Sequence, residues 1–212
     1  MITIYTAGSI PPFLKWTWLR PLRAVWTAEE LGLPYTLHRL DAVKGEQRGE
    51  AYLAVNPFGK IPSMKDGDFT LFESGAIVTY LADKAGKLIP APKTRERAIH
   101  DQWCFAAVNT IEPPVFDHMF AGLQAAQFAW AKERAPQLRD LAQARLKLFA
   151  KALGGNEYLT GKAFTVADAL MGQVLNFVND PGLFDGADAV RDYHARVTAR
   201  PAYQRALKAI QS

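Results

Sequence analysis

The sequence predicts a two-domain protein in which a small α/β domain precedes an all-helical domain. The chain has 212 residues, a length that allows either one large domain or two small ones. Strand-forming segments concentrate in the first part of the chain, whereas apolar residues recur at helical intervals after residue 94. We therefore expect an α/β domain at residues 1–83 and a helical domain at residues 94–212. The segment KAGKLIPAPK between them, residues 84–93, contains two prolines and is typical of a linker.

The first domain is predicted to have the element order β-α-β-α-β-β-α. ITIYT and YTLHRL predict two strands, and LRAVWTAEEL between them predicts a helix that ends at Gly32, shortly before Pro34. A short helix around EAYLAV, a hairpin of IPSM and FTLF, and a helix at ESGAIVTYLADK follow. A βαβ unit requires parallel strands with a right-handed crossover, and the hairpin adds an antiparallel pair. The expected sheet is therefore small, mixed and covered by helices, in a thioredoxin-like arrangement.

The second domain is predicted to contain several helices. A run of apolar residues at helical spacing indicates one helix that ends at Gly154-Gly155. We expect Pro113-Pro114 and Pro136 to break the domain into separate helices. The segment TVAD, Thr165 to Asp168, predicts a capping box at the start of the helix ALMGQVL. The apolar run consists of Leu138, Leu141, Ala142, Leu148, Phe149 and Ala152.

Composition and charge exclude several classes of protein. Apolar residues make up 49% and charged residues 22%, which is typical of a globular protein and not of a disordered one. The formal charge of +4 is modest and its basic residues are scattered, which argues against nucleic-acid binding. A single cysteine excludes an intrachain disulfide framework and suits a reducing cytosol. Because no leader-like N-terminus or membrane-length apolar run is present, we expect a cytoplasmic protein without membrane association.

The proline at the start of the predicted hairpin, Pro62, has two interpretations. Proline cannot donate a hydrogen bond to a strand ladder, so in sheets it is confined to edges, strand starts and bulges. Pro62 can therefore be an ordinary trans proline of an edge strand. Alternatively, a cis peptide bond before Pro62 would turn the backbone of Ile61 away from the sheet and toward a peptide-like ligand.

Taken together, four segments of the chain resemble the cytosolic glutathione S-transferase superfamily. The chain resembles a bacterial-type member of it. The four segments are VNPFGKIPSM and FESGAIVTYLAD, with EELGLPY upstream and TVADA far downstream, and the resemblance covers essentially the whole chain. It implies a glutathione-binding thioredoxin-like domain and a helical domain that supplies most of the second-substrate pocket. It also implies a cis Pro62, a homodimer, glutathione as co-substrate, a small apolar electrophile and no metal.

The resemblance implies a glutathione-binding role for five residues. The backbone of Ile61, before Pro62, would bind the cysteine of glutathione, and Lys60 would pair with its glycyl carboxylate. Glu73 and Ser74 would hold the γ-glutamyl end, Glu73 facing the ammonium and Ser74 the carboxylate. Independently of the family, the first turn of a helix has free N–H groups that favour an anion. The alternatives are that Glu73 or Ser74 merely caps the helix and that Lys60 is only solvated.

The residue that activates the glutathione thiol is ambiguous in this chain. The family usually places a hydroxyl or thiol at the end of the first strand or the start of the first helix. Here the additional residues IPPFLKWTWL separate the two. Counting forward from the strand selects Ser9, which is preferred, whereas counting backward from EELGLP selects residues from Thr17 to Arg20. Ser9 can instead cap a turn before Pro11, and Arg20 can lie on the surface.

Four aromatic residues are candidates for the second-substrate pocket. The resemblance and the aromatic character of the inserted segment and of EPPVFDHMF suggest Phe13, Trp16, Trp103 and Phe116. Aromatic residues at helical spacing are also typical of an ordinary core, so core packing is the alternative for each.

The cysteine and the histidines of the chain indicate neither a nucleophilic cysteine nor a metal site. Neither way of counting places a cysteine at the position of the activating residue. This argues against a mechanism in which a cysteine of the protein forms a mixed disulfide. Cys104 lies in an apolar helical run and is expected to be an inert core thiol. The four histidines show no metal-binding spacing. They are His38, His100, His118 and His194.

Two classes of function follow. The leading one is an enzyme that activates glutathione for attack on an electrophile, or for reduction of a peroxide or disulfide. The alternative is a non-catalytic protein that uses the same fold for ligand binding or protein association.

Overall fold

A computed structural model describes the whole chain, Met1 to Ser212, as two compact units. The first unit contains Met1–Ile89 and Arg200–Ser212, and the second contains Pro90–Ala199. The predicted helical domain, residues 94–212, includes Arg200–Ser212, which belong to the first unit in the structure. The last helix of the chain packs with the α/β unit, and its contacts are described below.

The first unit has the predicted order of strands and helices. Its sheet has the order β2-β1-β3-β4, with β1 and β2 parallel and the other two pairs antiparallel. This small mixed sheet with helices confirms the predicted thioredoxin-like fold. Its strands are β1 (Ile2–Ala7), β2 (Tyr35–Leu40), β3 (Ser63–Asp66) and β4 (Phe69–Phe72), and its helices are α1 (Pro21–Leu31), α2 (Glu50–Leu53), α3 (Ser74–Ala85) and α9 (Pro201–Gln211).

Local sequence signals explain the boundaries of these elements. Gly32 ends α1 in the left-handed region, at φ 67°, where a residue with a Cβ would be strained. Pro62 lies just outside β3, which begins at Ser63. β2 and β4 form the two edges of the sheet.

The last helix, α9, is held on α1 by ion pairs and aromatic packing. The Arg200 guanidinium bonds both carboxylate oxygens of Glu30, at 2.6 and 2.8 Å, and Arg205 bonds Glu29 at 2.8 Å. The buried Trp26 ring of α1 packs edge-on against the ring of Tyr203. These contacts explain why the C-terminal residues join the first unit although they follow a long helical region.

The second unit is entirely helical. An α-helix, a π-helical segment and a second α-helix follow one another without a break from Arg95 to Gln124. A short 3-10 helix, Pro181–Phe184, precedes α8. The helices are α4 (Arg95–Phe105), the π segment (Ala106–Ile111), α5 (Glu112–Gln124), α6 (Ala129–Leu153), α7 (Val166–Leu175) and α8 (Asp188–Thr198).

The prolines of this unit do not separate helices as the sequence predicted. Pro113 and Pro114 lie in the first turn of α5, directly after the π-helical segment, and the preceding residues remain helical. The π-helical segment already interrupts the regular hydrogen bonds of the α-helix next to the two prolines, so the helix continues. Pro136 lies inside α6, and the helix continues through it. On either side of Pro136, Ala131 and Leu138 are buried, so packing outweighs the lost hydrogen bond.

The predicted capping box is confirmed at the start of α7. The Thr165 backbone N–H and hydroxyl both donate to the Asp168 carboxylate, and the Thr165 side chain accepts from the backbone of Asp168. Asp168 is fully buried and also accepts from the Tyr193 hydroxyl at 2.9 Å. Burial raises the pKa of this carboxyl. No helix of the protein has the length and apolar character needed to cross a membrane.

Candidate functional site

A cavity of about 280 Å³ lies in the first unit, beside the N-terminus of α1. It is bounded by the end of β1, the residues before α1, the end of β2 and the loop before β3. Three residues predicted for the site, Arg20, Lys60 and Ile61, are among its walls. The lining residues are Ala7, Trp18, Leu19, Arg20, Pro21, Leu40, Ala42, Gln47, Gly59, Lys60 and Ile61.

The loop before β3 is fixed by two buried side chains from the short helix α2 and its C-terminal end. The Tyr52 hydroxyl and the Asn56 amide both donate to the Lys60 carbonyl, at 2.6 and 2.7 Å. The Tyr52 oxygen also lies 2.8 Å from the Ser63 hydroxyl. Burial raises the pKa of Tyr52, so its hydroxyl stays protonated at neutral pH. The carbonyl of Lys60 therefore points into the protein and fixes the course of the chain through Ile61.

A close approach of two backbone segments requires glycine in this loop. Gly59 has a φ of 60°, and a Cβ at this position would lie 2.8 Å from the Gln47 carbonyl oxygen. Neither the backbone conformation nor the available space suits another residue. The side-chain Oδ1 of Asn56 accepts from the backbone N–H of Phe58, which stabilises the same turn.

The backbone of Ile61 is left unpaired at the edge of the cavity. The Ile61–Pro62 peptide bond is cis. The strand pairing of β3 begins only at Ser63, opposite Tyr5 and Phe72, and Ile61 takes part in no backbone hydrogen bond. Its side chain packs on a buried cluster that includes Tyr5 and Tyr52. An extended peptide can therefore add to this position as a strand adds to a sheet edge.

The N-terminus of α3 lies at the same end of the hairpin. Since Ser63 pairs with Phe72 as the last pair of the ladder, Ile61 and Glu73 both leave the sheet there. Glu73 has a φ of 69° and a ψ of 114°, an unfavourable conformation for a residue with a side chain. Such outliers cluster at functional positions. The Glu73 side chain is exposed and makes no capping hydrogen bond.

Ser74 does not cap α3 either, because its hydroxyl is engaged elsewhere. Its oxygen accepts a hydrogen bond from Nη1 of Arg23 at 3.0 Å, and both side chains are buried. The alternative that Glu73 or Ser74 serves simply as a side-chain cap is therefore not what the structure has. Neither residue lines the 280 Å³ cavity; both follow Phe72, which pairs with Ser63 at the end of the hairpin nearest Ile61.

Gln47 lines the cavity and is not among the residues that the sequence predicts for the site. Its amide nitrogen donates weakly to the Ala42 carbonyl at 3.4 Å, while its Oε1 is buried without a partner. A buried acceptor without a donor is unfavourable, so a ligand N–H at this wall would satisfy it. The signal in the sequence is slight, since Gln47 lies in the segment GEQRG, which has no hydrophobic pattern and forms a short 3-10 helix, Glu46–Arg48.

The inserted segment between β1 and α1 forms a turn and a 3-10 helix, Trp16–Trp18. Trp18 is buried and lines the cavity, with the Lys15 ammonium 5.2 Å from its ring centre. α9 packs against this 3-10 helix as well as against α1. The inserted segment thus brings apolar surface to the cavity, and Arg20 directly after it also lines the cavity.

The three candidates for thiol activation differ in position. Ser9 is exposed and does not line the cavity. Thr17 is half-buried in the 3-10 helix and is not among the lining residues either. Arg20 is the residue immediately before the N-terminus of α1, and it lines the cavity together with Lys60 and Ile61. Arg20 is therefore the best placed of the three.

The four aromatic candidates divide between the two units. In the first unit, Phe13 is 63% exposed and Trp16 belongs to the 3-10 helix, and neither lines the cavity. In the second unit, the Trp103 ring packs on Phe149 and the Phe116 ring on Phe177. Trp103 and Phe116 are both half-buried, and their ring contacts are of the kind that core packing, the alternative considered above, also produces. A role of the four in a second-substrate pocket stays a prediction.

Cys104 is buried, and desolvation raises the pKa of its thiol to about 12. A thiol with this pKa is almost entirely protonated at neutral pH and is a poor nucleophile. His100, also buried, lies 3.8 Å from the Cys104 sulfur. No group of three or more His, Cys, Asp or Glu side chains is arranged to hold a metal ion.

Comparisons with known proteins agree on one family. Residues 11–83 match the model of the glutathione S-transferase N-terminal domain, and residues 116–208 match that of the C-terminal domain. Glutathione S-transferase F10 of Arabidopsis thaliana is 36% identical over 155 residues, which cover 69% of this chain and 70% of that protein. The disulfide-bond oxidoreductase YfcG of Escherichia coli (strain K12) is 32% identical over 191 residues, 84% of this chain and 86% of that protein.

A solved structure extends the likeness to both units. A glutathione transferase family member from Pseudomonas fluorescens pf-5, crystallised with two glutathione bound, has a TM-score of 0.82. It is 29% identical to this chain, and the match covers 97% of this chain and 92% of that one.

Proposed function

Because the chain belongs to the cytosolic glutathione S-transferase superfamily, we propose that it binds glutathione beside Ile61 and activates the thiol for attack on a small apolar electrophile. The observation that carries this proposal is the unpaired backbone of Ile61. It lies at the wall of the 280 Å³ cavity, at the same end of the hairpin as the uncapped N-terminus of α3. A peptide with a carboxylate at one end and a sulfur in the middle fits these features.

Glutathione would lie extended, with each part facing a different group. The backbone of its cysteine bonds the N–H and C=O of Ile61, as an added strand does. Its γ-glutamyl carboxylate bonds the Ser74 hydroxyl and the first N–H groups of α3, whose partial positive charge favours an anion. Glu73 pairs with the ammonium group. At the other end, Lys60 pairs with the glycyl carboxylate, and Gln47 accepts a ligand N–H at its unpartnered Oε1.

Thiol activation is assigned to Arg20, assisted by the N-terminus of α1. A free thiol with a pKa of about 8.5 is only about 3% ionised at pH 7. A guanidinium and a helix N-terminus both stabilise the thiolate, so they lower its pKa and raise the nucleophile concentration. The thiol proton passes to solvent. The thiolate then forms a carbon–sulfur bond to the electrophile, and the leaving group departs with its bonding electron pair.

Apolar electrophiles are favoured by the walls of the cavity. Trp18, Leu19, Pro21 and Leu40 supply apolar surface next to Arg20. Retention on immobilised glutathione, together with turnover of a generic chloronitroarene, tests the proposal. Retention without turnover of any glutathione-dependent substrate would favour the alternative of a non-catalytic ligand-binding or protein-interaction protein.

A second candidate reaction is glutathione-dependent reduction of a disulfide or peroxide. The observations that favour it are the likeness to a disulfide-bond oxidoreductase and to a relative that holds two glutathione molecules. In the disulfide reaction, one glutathione thiolate attacks the substrate disulfide and a second attacks the mixed disulfide. The products are two thiols and oxidised glutathione. Reduction of hydroxyethyl disulfide, coupled to glutathione reductase, separates this activity from transfer to a chloronitroarene.

We also propose that the protein forms a homodimer and is located in the cytoplasm. The β4 edge of the sheet carries Phe69, which is 45% exposed, and Phe72 of the same strand contacts the ring of Phe58, which is 69% exposed in the loop before β3. An edge strand with apolar side chains is suited to burial against a second copy. Light scattering at micromolar concentration should give about twice the 23.5 kDa of one chain. Cell fractionation tests the location.

A further inference from the structure

A buried arginine on α1 contacts the serine at the start of α3. Arg23 lies in the first turn of α1 and is only 1% exposed, although arginine is almost always exposed in proteins. Its Nη1 donates to the Ser74 oxygen at 3.0 Å across a separation of 51 residues. α1 and α3 pack against each other, so the contact lies within the core of the first unit.

The chemistry of the two groups fixes the direction of this hydrogen bond. A guanidinium is always protonated, has five N–H donors and has no acceptor. The Ser74 oxygen must therefore accept from Arg23. A hydroxyl group that accepts one hydrogen bond still has its own proton to donate to a different partner. With Arg23 in place, the donor of Ser74 is kept for another acceptor.

We propose that Arg23 is a positioning residue that keeps the Ser74 hydroxyl as a donor to the carboxylate of the ligand. This inference rests on the proposed function, since it concerns the γ-glutamyl carboxylate of glutathione. A hydroxyl that donates while its oxygen accepts from a cation is more polarised and a stronger donor.

A purely structural role for Arg23 would leave a different signature. An arginine that only holds α1 against α3 affects every ligand of the first unit to the same extent when it is replaced. A positioning residue for one hydroxyl affects only ligands that carry the carboxylate bound by that hydroxyl. A pair of ligands that differ by this carboxylate therefore separates the two roles.

The test uses glutathione and γ-aminobutyryl-Cys-Gly, which retains the amine, thiol and glycyl carboxylate and lacks the γ-glutamyl carboxylate. Calorimetric titration is carried out on the full chain with wild type, Arg23→Gln and Arg23→Lys. Arg23→Gln should weaken glutathione binding about 10-fold or more and change the affinity for the analogue less than about twofold. Arg23→Lys, which keeps the charge, should show a smaller loss with glutathione.

Ser74→Ala supplies the matched control. If Arg23 acts through the Ser74 hydroxyl, the double variant should bind glutathione no more than about twofold more weakly than Ser74→Ala alone. Equal losses for both ligands, or fully additive losses in the double variant, would overturn the inference. Failure of both Arg23 variants to fold, checked by circular dichroism, would also overturn it, because Arg23 would then be a structural residue. Failure of the wild type to bind glutathione would overturn the proposed function itself.

Discussion

Two sides of the candidate site differ in how firmly the protein holds them. On one side, the loop before β3 and the start of α3, residues 56–74, are fixed by hydrogen bonds from the buried side chains of Tyr52, Asn56 and Arg23. On the other side, the insertion before α1, residues 9–20, is partly exposed and is held by a local 3-10 helix and by α9. We call the first side the anchor and the second the insertion.

The difference suggests a division of labour. A rigid anchor binds the constant part of the ligand, and its backbone geometry must be accurate to a fraction of an ångström. The insertion carries Arg20 and Trp18 to the cavity, where the sulfur would react, and can vary more freely because loops tolerate change. Changes in the anchor should therefore affect stability and affinity, whereas changes in the insertion should affect reactivity.

The largest expected effect comes from removing the buried support of the anchor. Asn56→Ala deletes the hydrogen bonds to the Lys60 carbonyl and from the Phe58 N–H at a site that is 3% exposed. We expect the free energy of unfolding to fall by about 2–4 kcal/mol. The Phe58 N–H is left without an acceptor, which costs about 1–3 kcal/mol, and the Lys60 carbonyl keeps its bond from Tyr52 but loses its second bond, which costs about 1 kcal/mol. Urea denaturation measures this. Ser9→Ala, in the exposed insertion, is the control and should change stability by less than about 0.5 kcal/mol. Similar losses in the two variants would remove the distinction between anchor and insertion.

The second effect concerns affinity at the start of α3. Ser74→Ala removes one donor to the ligand carboxylate but leaves the helix N–H groups in place, so the loss should be partial. A hydrogen bond to a charged group contributes about 1.5–3 kcal/mol, which corresponds to roughly 10- to 150-fold in the affinity for glutathione. Glu73→Ala should cost a similar amount, since the ammonium loses its partner. Calorimetric titration measures both. Binding like that of the wild type by both folded variants would mean that the anchor binds its ligand elsewhere.

The third effect belongs to the insertion and concerns reactivity. If the Arg20 guanidinium lowers the pKa of the bound thiol, Arg20→Gln should raise it, and the rising limb of the pH–rate profile should move to higher pH. A shift of about one pH unit corresponds to about 1.4 kcal/mol. The affinity for glutathione should change less than the rate. Ser9→Ala is the matched control and should leave the profile in place. A shift in Ser9→Ala without one in Arg20→Gln would return the assignment to Ser9.

Much of the fold follows from local chemistry that the sequence displays. Gly32 and Pro34 mark the end of α1, and the β-branched residues of ITIYT mark β1. The segment TVAD specifies a capping box through the side chains of only two residues, Thr165 and Asp168. These signals act over a few residues, so they can be identified without knowledge of the rest of the chain.

The features that the sequence does not predict depend on distant residues. Nothing near α9 indicates that Arg200 will meet Glu30, 170 residues earlier, and join the first unit. Pro136 suggests a helix end, but burial of the residues around it keeps α6 continuous. Arginine is usually exposed, so the residue type of Arg23 predicts a surface position. In the structure Arg23 is 1% exposed and donates to Ser74. Long-range packing outweighs local preference in each case.

The smallest expected effect on ligand binding sharpens the comparison through α9, which packs against the insertion and supplies none of the anchor's hydrogen bonds. Arg200 and Arg205 make similar ion pairs with α1, but the Arg200 side chain is 29% exposed against 56% for Arg205, and the Glu30 side chain is 7% exposed against 20% for Glu29. Arg200→Ala should lower the free energy of unfolding by about 1–2 kcal/mol, because a bidentate pair with a buried carboxylate is lost.

Arg205→Ala is the matched variant and should cost less than about 0.5 kcal/mol, since exposed ion pairs contribute little. Thermal denaturation of the two variants at low and high salt measures the difference, and the loss at Arg200 should be the less sensitive to salt because it is better shielded from solvent. Glutathione affinity should stay within about twofold in both variants, because none of the anchor's hydrogen bonds comes from α9. A marked loss of affinity in Arg200→Ala would show that α9 supports the anchor as well, and the separation between the two sides would no longer hold.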